Sequence, residues 1–142
     1  MSLTCENLTA LPTLPPSHAD LLDRPLFASW ATLDNDGAPL VNPMWFLWDA
    51  SQQLIRFTHT TKRFNYAYVT RDPRVAVLIW DPDDPYRYIQ IRGVVESVEP
   101  DPTGSLHEAL QKRYRGSVGE VSDRALRVVV SVRPTAYRVR NV

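Results

Sequence analysis

The segment Phe57-Thr58-His59-Thr60-Thr61-Lys62-Arg63 concentrates the chemistry of this sequence. An apolar strand pattern ends there and a helix pattern begins. Such a junction leaves backbone N–H groups unpaired beside the positive end of a helix. Hydroxyls at Thr58, Thr60 and Thr61, with cations at Lys62 and Arg63, complete the donors that a phosphate requires. The same residues also fit a plain helix cap with two solvated basic side chains. Asn42-Pro43 is the second feature, because proline cannot donate to a strand ladder and leaves neighbouring backbone groups free. With Met44 and Trp45 it suits the edge of a flat heteroaromatic ring that hydrogen-bonds to main chain. Core packing around a strand bulge is the alternative. Arg87-Tyr88 opens a long strand after a tight turn, and Arg87 by itself reads as a surface arginine.

Other chemistries find no support. There is no glycine-rich phosphate loop, no H-E-x-x-H and no G-x-S-x-G, and the five glycines are scattered. His18, His59 and His107 fall on three different predicted elements without ligand spacing, so no metal site is expected. Asp34-Asn35-Asp36-Gly37 lacks the glutamate that a calcium loop carries at its twelfth position and reads as a hairpin turn. The acidic stretch from Asp81 to Asp84 reads as turn chemistry. The single cysteine, Cys5, has no partner for an internal disulfide and cannot build a thiolate zinc site. No side chain stands out as a general acid or base, so no catalytic residue is assigned.

The elements that must position these residues are mostly strands. Three prolines between Leu11 and Pro16 suggest an extended lead-in, and Ser17-His18-Ala19-Asp20 suggests a capping box before a short helix closed by Pro25. Strands are expected at Phe27 to Leu33, Leu40 to Trp48, Leu54 to Thr58, Val75 to Trp80, Tyr86 to about Val98 and Ala125 to Val139, with Pro134 marking an edge or bulge. Helices are expected at Thr61 to Arg71 and from Asp101 to about Tyr114. The Leu40 to Trp48 run is apolar on both alternating faces, which predicts burial on both, the second against another subunit. About six consecutive antiparallel strands with few helices make a mainly β protein, a small barrel that closes its own edges.

The 142 residues suit one domain, with residues 1–16 as a lead-in and 17–142 as the folded unit. Sixteen Lys+Arg balance sixteen Asp+Glu, which argues against a general nucleic-acid binder and makes self-association cheap. No apolar run is long enough to span a membrane. The N-terminus has neither the basic nor the apolar region of a secretory signal, so a cytoplasmic location is the expectation.

Taken in order, five segments carry a family resemblance: Asp36-Gly37-x-Pro39…Asn42-Pro43-Met44-Trp45-Phe46, Thr58 to Arg63, Asp72-Pro73-Arg74-Val75, Pro85-Tyr86-Arg87-Tyr88…Arg92-Gly93, and Lys112-Arg113-Tyr114. The chain resembles the pyridoxamine 5′-phosphate oxidase-like split-barrel proteins from about Leu21 to Pro134, most closely the branch that uses FMN or the deazaflavin coenzyme F420. The resemblance implies a homodimeric split β-barrel with cofactor sites between subunits. It implies that Thr58, Thr60, Thr61, Lys62, Arg63 and Asn65 hold the cofactor phosphate. Asn42, Pro43, Met44 and Trp45 would line the ring edge, and Arg87 and Tyr88 would approach from the long strand. One departure is visible. Eight and five residues before Pro73 the family usually carries Lys and Asn, and this chain carries Asn65 and Tyr68. The implied activity is hydride transfer between bound FMN or coenzyme F420 and a small organic substrate. The alternative is a dimeric module that holds such a ligand without turnover or has lost it, or a purely structural dimer.

Overall fold

The computed structural model describes residues 13–140, so Cys5 and the first part of the proline-rich lead-in lie outside the described residues. A 3₁₀ turn (Pro16–His18) and a one-turn helix α1 (Asp20–Asp23) precede strand β1 (Ala28–Leu33), then β2 (Pro39–Met44), β3 (Leu47–Asp49) and β4 (Leu54–Thr60). Helix α2 (Phe64–Arg71), β5 (Arg74–Asp81), β6 (Asp84–Pro100), α3 (Ser105–Arg115) and β7 (Arg127–Arg140) follow. All seven strands join one antiparallel sheet in the order β2-β1-β5-β6-β7-β4-β3.

That order forces closure. β2 and β3 are opposite edges of the sheet, yet only Trp45 and Phe46 separate them in the chain. Three peptide steps reach at most about 11 Å, so the sheet must curl until its edges nearly meet. The curl is built into the two longest strands. Register shifts fall between Arg92 and Gly93 and between Val95 and Ser97, where extra residues bend and twist the ladder. Pro134 sits opposite Gly93 at the first of these bulges, as its sequence position predicts. A Cβ on Gly93 would lie 2.6 Å from Val132 Cγ1 and 2.8 Å from the Arg133 carbonyl oxygen, so only glycine allows this approach.

Period-two alternation sends one face of each strand inward. Trp30, Val77, Ile91 and Tyr137 are register partners across β1, β5, β6 and β7, and all four are buried. Phe57 closes the ring from β4, its centroid 4.3 Å from that of Trp30. The hairpin at Asp34 takes its expected form, with Gly37 at φ +80° and the Asp34 carboxylate accepting the N–H groups of Asp36 and Ala38.

Several expectations are corrected. The Leu40 to Trp48 run is two strands rather than one, giving seven strands instead of six, because each half pairs with a different edge partner. Within one subunit Leu40 is exposed and Val41 is 66% exposed, while Phe46 is fully buried. The capping box at Ser17 does not form. Ser17 Oγ bonds His18 Nδ1, His18 Nε2 bonds the Arg140 carbonyl, and Asp20 pairs with Arg87. Helix α2 starts at Phe64 rather than Thr61, since Thr60 still pairs with Arg127 in the sheet. Asp101 lies before α3 and acts as its capping carboxylate, accepting the N–H groups of Ser105 and Leu106 at 3.2 and 3.0 Å.

Candidate functional site

The gap between the β2 end and the β4 end is where the barrel is split. β4 turns sharply there, with the Arg63 N–H bonded to the Thr60 carbonyl at 3.1 Å and the Thr61 N–H bonded to Leu126 at 3.1 Å. Of the amides expected to be free at this junction, those two are therefore spent. Phe64 and Asn65, the first two residues of α2, have no intrahelical acceptor for their N–H groups.

Two adjoining cavities open at the split. One, of 250 Å³, is lined by Phe27, Pro43, Met44, Trp45, Thr58, His59, Arg63, Asn65, His107 and Arg127. The other, of 490 Å³, is lined by Leu40, Val41, Asn42, Lys62, Arg63, Phe64, Asn65 and Tyr68. They share Arg63 and Asn65, and joined they reach the size of ordinary small-molecule sites, about 300–1,000 Å³. Eight of the residues singled out in the sequence meet here: Asn42, Pro43, Met44, Trp45, Thr58, Lys62, Arg63 and Asn65.

The other four do not line this cleft. Thr60 is buried in the sheet and Thr61 is used as a backbone donor. The Arg87 guanidinium is held by both Asp20 oxygens at 2.5 and 3.0 Å and by the Ser17 carbonyl at 2.8 Å. That bonding holds the Asp20 carboxyl below its ordinary range. Tyr88 follows on β6, opposite Trp80 and Arg140.

The walls of the cleft differ in character. Trp45 forms the apolar wall and is fixed by two neighbours on α3. The Tyr114 ring stacks at 5.0 Å and 15°, and the Arg115 guanidinium lies 4.8 Å from the indole centroid. Tyr114 is itself pinned, its hydroxyl donating to the Leu26 carbonyl at 2.6 Å and accepting the Phe46 N–H at 3.1 Å. The opposite wall is cationic. Among the described residues, Lys62 and Arg63 have no carboxylate within ion-pair distance, and no Asp or Glu lines either cavity.

Around the 250 Å³ cavity, sequence reasoning missed four lining residues: Phe27, His59, His107 and Arg127. Arg127 enters because β7 pairs with β4, Thr60 opposite Arg127, and its Nη1 reaches Thr58 Oγ1 at 3.4 Å while Asp123 holds the rest of the guanidinium. No local signal could show this, since 69 residues separate the partners. His59 was legible: two residues after Phe57, it shares that strand's inward face. It stands edge-on to Trp30 at 5.5 Å, only 2% exposed, and neither ring nitrogen has a hydrogen-bond partner. Burial first, then the nearby Arg63 and Arg127 charges, push its pKa down to about 4. His59 and His107, expected on separate elements, converge on one cavity. His18 remains apart under Arg140. Among the described residues no group of three His, Cys, Asp or Glu side chains is placed to hold a metal ion. No described helix is long and apolar enough to cross a membrane.

Residues 14–141 match the family model for pyridoxamine 5′-phosphate oxidase. The chain belongs to the pyridoxamine 5′-phosphate oxidase family. Among solved structures, this family member is 48% identical to an F420 reductase, with a TM-score of 0.83 over 87% of this chain and 98% of the other. A conserved hypothetical protein from Mycobacterium tuberculosis matches at 23% identity and TM-score 0.72, covering 91% and 86% of the two chains. General Stress Protein 26 from Bacillus anthracis matches at 17% identity and TM-score 0.66, covering 87% and 90%. These last two likenesses concern the fold alone. No curated protein matches the chain. The oxidase-family fold is thus a mainly β split barrel, as the motif order predicts.

Proposed function

We propose that this oxidase-family protein binds FMN or coenzyme F420 in the cleft and transfers a hydride between it and a small organic molecule. The observation that carries the reading is a cationic mouth, Lys62 and Arg63, with no carboxylate paired to either among the described residues, facing a wall built on Trp45. Phosphate fits the first and a flat ring the second. The similarity to an F420 reductase supports the same choice. When bound, the flavin or deazaflavin supplies the hydride chemistry. The chain's own residues bind and orient it. Lys62 and Arg63 hold the phosphate, with the Phe64 and Asn65 N–H groups at the positive end of α2. Pro43, Met44 and Trp45 shield the ring from water.

The functional unit in this reading is a homodimer. Val41 at 66% and Phe64 at 78% exposure flank the 490 Å³ cavity, and a second subunit laid over β2 and α2 would bury both and roof the site. Only monomer in a sedimentation experiment at micromolar concentration would remove this part of the proposal. The second reading, a module that holds the ligand without turnover, draws on the lining, which offers no carboxylate for acid–base work.

Absorption spectra and titrations with FMN and coenzyme F420 test the binding. Neither ligand binding below about millimolar would defeat both readings. Replacing Lys62 and Arg63 together by Ala should weaken FMN far more than riboflavin, which lacks the phosphate. Losing two charge-assisted contacts corresponds to at least about tenfold. Equal loss for both ligands contradicts the phosphate placement. Reduction of the bound ring, followed by addition of candidate acceptors, separates enzyme from holder.

A further inference from the structure

Gln111 is buried on α3, and a backbone contact fixes which way its amide points. The Gly119 N–H donates to Gln111 Oε1 at 3.0 Å, so Oε1 is the acceptor end and Nε2 the donor end. That Nε2 lies 3.3 Å from His107 Nε2, one helical turn earlier. Two N–H groups cannot share such a contact. His107 Nε2 is therefore the acceptor, and the proton of the neutral imidazole sits on Nδ1. Burial first, then the charge of Arg127, holds the ring toward that neutral form; Asp123 opposes the shift, and Arg115 and Arg124 add to it. Nδ1 is shut off from water and has no hydrogen-bond partner among the described residues. Native proteins rarely leave such a donor idle. The imidazole lines the 250 Å³ cavity and lies nearly parallel to the Trp45 indole, 6.4 Å away at 22°. Phe27, Pro43 and Met44 line the same cavity and bring no N–H or O–H side-chain donor.

We propose that the Gly119–Gln111–His107 chain sets a hydrogen-bond donor beside Trp45, and that His107 Nδ1–H selects small molecules presenting a carbonyl-type oxygen there. The phosphate contacts assigned above lie at the turn from β4 to α2, whereas His107 and its support belong to α3 and the loop after it. The donor rests on hydrogen-bond geometry; that the selected molecule exchanges hydride rests on the function proposed above. The neutral imidazole gives up no proton in this role. When hydride adds to the carbonyl carbon, the π electron pair moves onto oxygen and the Nδ1–H hydrogen bond supports the growing charge. Water then supplies the proton that completes the alcohol. Gln111 is a positioning residue, acting only through the tautomer of His107.

Long-range proton–nitrogen NMR on the whole protein, labelled at histidine, tests both the tautomer and the donor. At pH 7.5 His107 should carry its proton on Nδ1 and leave Nε2 bare, and Gln111→Met should mix the two tautomers. The probes are acetophenone and α-methylstyrene, a pair of one shape in which a methylene replaces the carbonyl oxygen. Acetophenone, added with and without FMN, should shift His107 Nδ1 saturably, and α-methylstyrene should not. His107→Phe should bind acetophenone about three- to tenfold more weakly with α-methylstyrene little changed, the worth of one neutral hydrogen bond. A purely structural role would move both probes alike. A wild-type proton on Nε2, acetophenone that leaves Nδ1 unmoved with and without FMN, or equal losses of both probes in His107→Phe overturns the proposal. If acetophenone moves Nδ1 while FMN and coenzyme F420 both fail to bind, the donor stands and the hydride-transfer reading falls.

Discussion

Acidification should find His59 before it finds the carboxylates. In the folded protein its pKa is pushed down to about 4, from the ordinary 6.5 of the unfolded chain. Between those values the unfolded chain binds a proton that the folded chain refuses. Stability present above pH 6.5 is therefore lost as pH falls through 6.5 toward 4. The full loss below pH 4 is about 3 kcal/mol, and at pH 5 it is about 2 kcal/mol, taking 1.36 kcal/mol per unit. Asp20 and Asp72 act in a lower window, since arginine hydrogen bonds hold their carboxyls below the usual range, Asp72 at about 2. His107 is shifted in the same direction as His59, but it is common to wild type and variant and cancels in the comparison. Urea unfolding at pH 7.5 and pH 5.0, for wild type and His59→Phe, isolates the effect. Wild type should lose about 2 kcal/mol more than the variant between the two pH values. Equal losses would mean that His59 is accessible to protons in the folded state, and the reasoning from burial and the two arginines would fail.

Three further outcomes are expected. Tyr114→Phe removes a hydroxyl that ties Leu26 to Phe46 and should lower urea-unfolding stability by about 1–3 kcal/mol, through the stranded Phe46 N–H and Leu26 carbonyl. Gly93→Ala places a methyl against Val132 and the Arg133 carbonyl, neither of which is a flexible tip, and should cost about 1–3 kcal/mol in the same assay. Asp101→Ala uncaps α3 and should lower stability by about 0.5–2 kcal/mol at pH 7, an effect absent at pH values low enough to protonate Asp101 in wild type.

What the sequence made legible was local. The Asp34 turn depends on a glycine at positive φ and an aspartate three residues before it, both within one short stretch of chain. The β4-to-α2 junction is likewise a matter of seven consecutive residues, so Thr58, Lys62 and Arg63 could be found by reading along. The break at Trp45-Phe46 was not legible, because those residues are as apolar and strand-like as their neighbours. What separates β2 from β3 is pairing with β1 on one side and β4 on the other, a property of the closed sheet. Arg127 was hidden for the same reason, its place in the cleft set by β4–β7 register. Arg87 misled in the opposite direction. Its charge and position were visible, but the Asp20 carboxylate that binds it lies 67 residues earlier.

Closure of the barrel and construction of the cleft are one event. The chain leaves one sheet edge at Met44 and joins the other at Leu47, and the two residues between them face opposite ways. Phe46 is fully buried in the core, while Trp45 stays partly exposed and becomes the cleft wall. Tyr114 reads both residues at once, bonding the Phe46 backbone and stacking on the Trp45 ring. A core that packs correctly around Phe46 therefore places the Trp45 indole, with no independent adjustment available to the site. The cationic wall has the opposite dependence. Lys62 and Arg63 sit on an exposed turn whose side chains no described ion pair restrains, so their geometry is free to adapt to a ligand. A rigid ring wall facing an adaptable phosphate wall favours one ring position and tolerates variation in the phosphate-bearing chain. On this argument ring analogues should discriminate among ligands more sharply than tail analogues do.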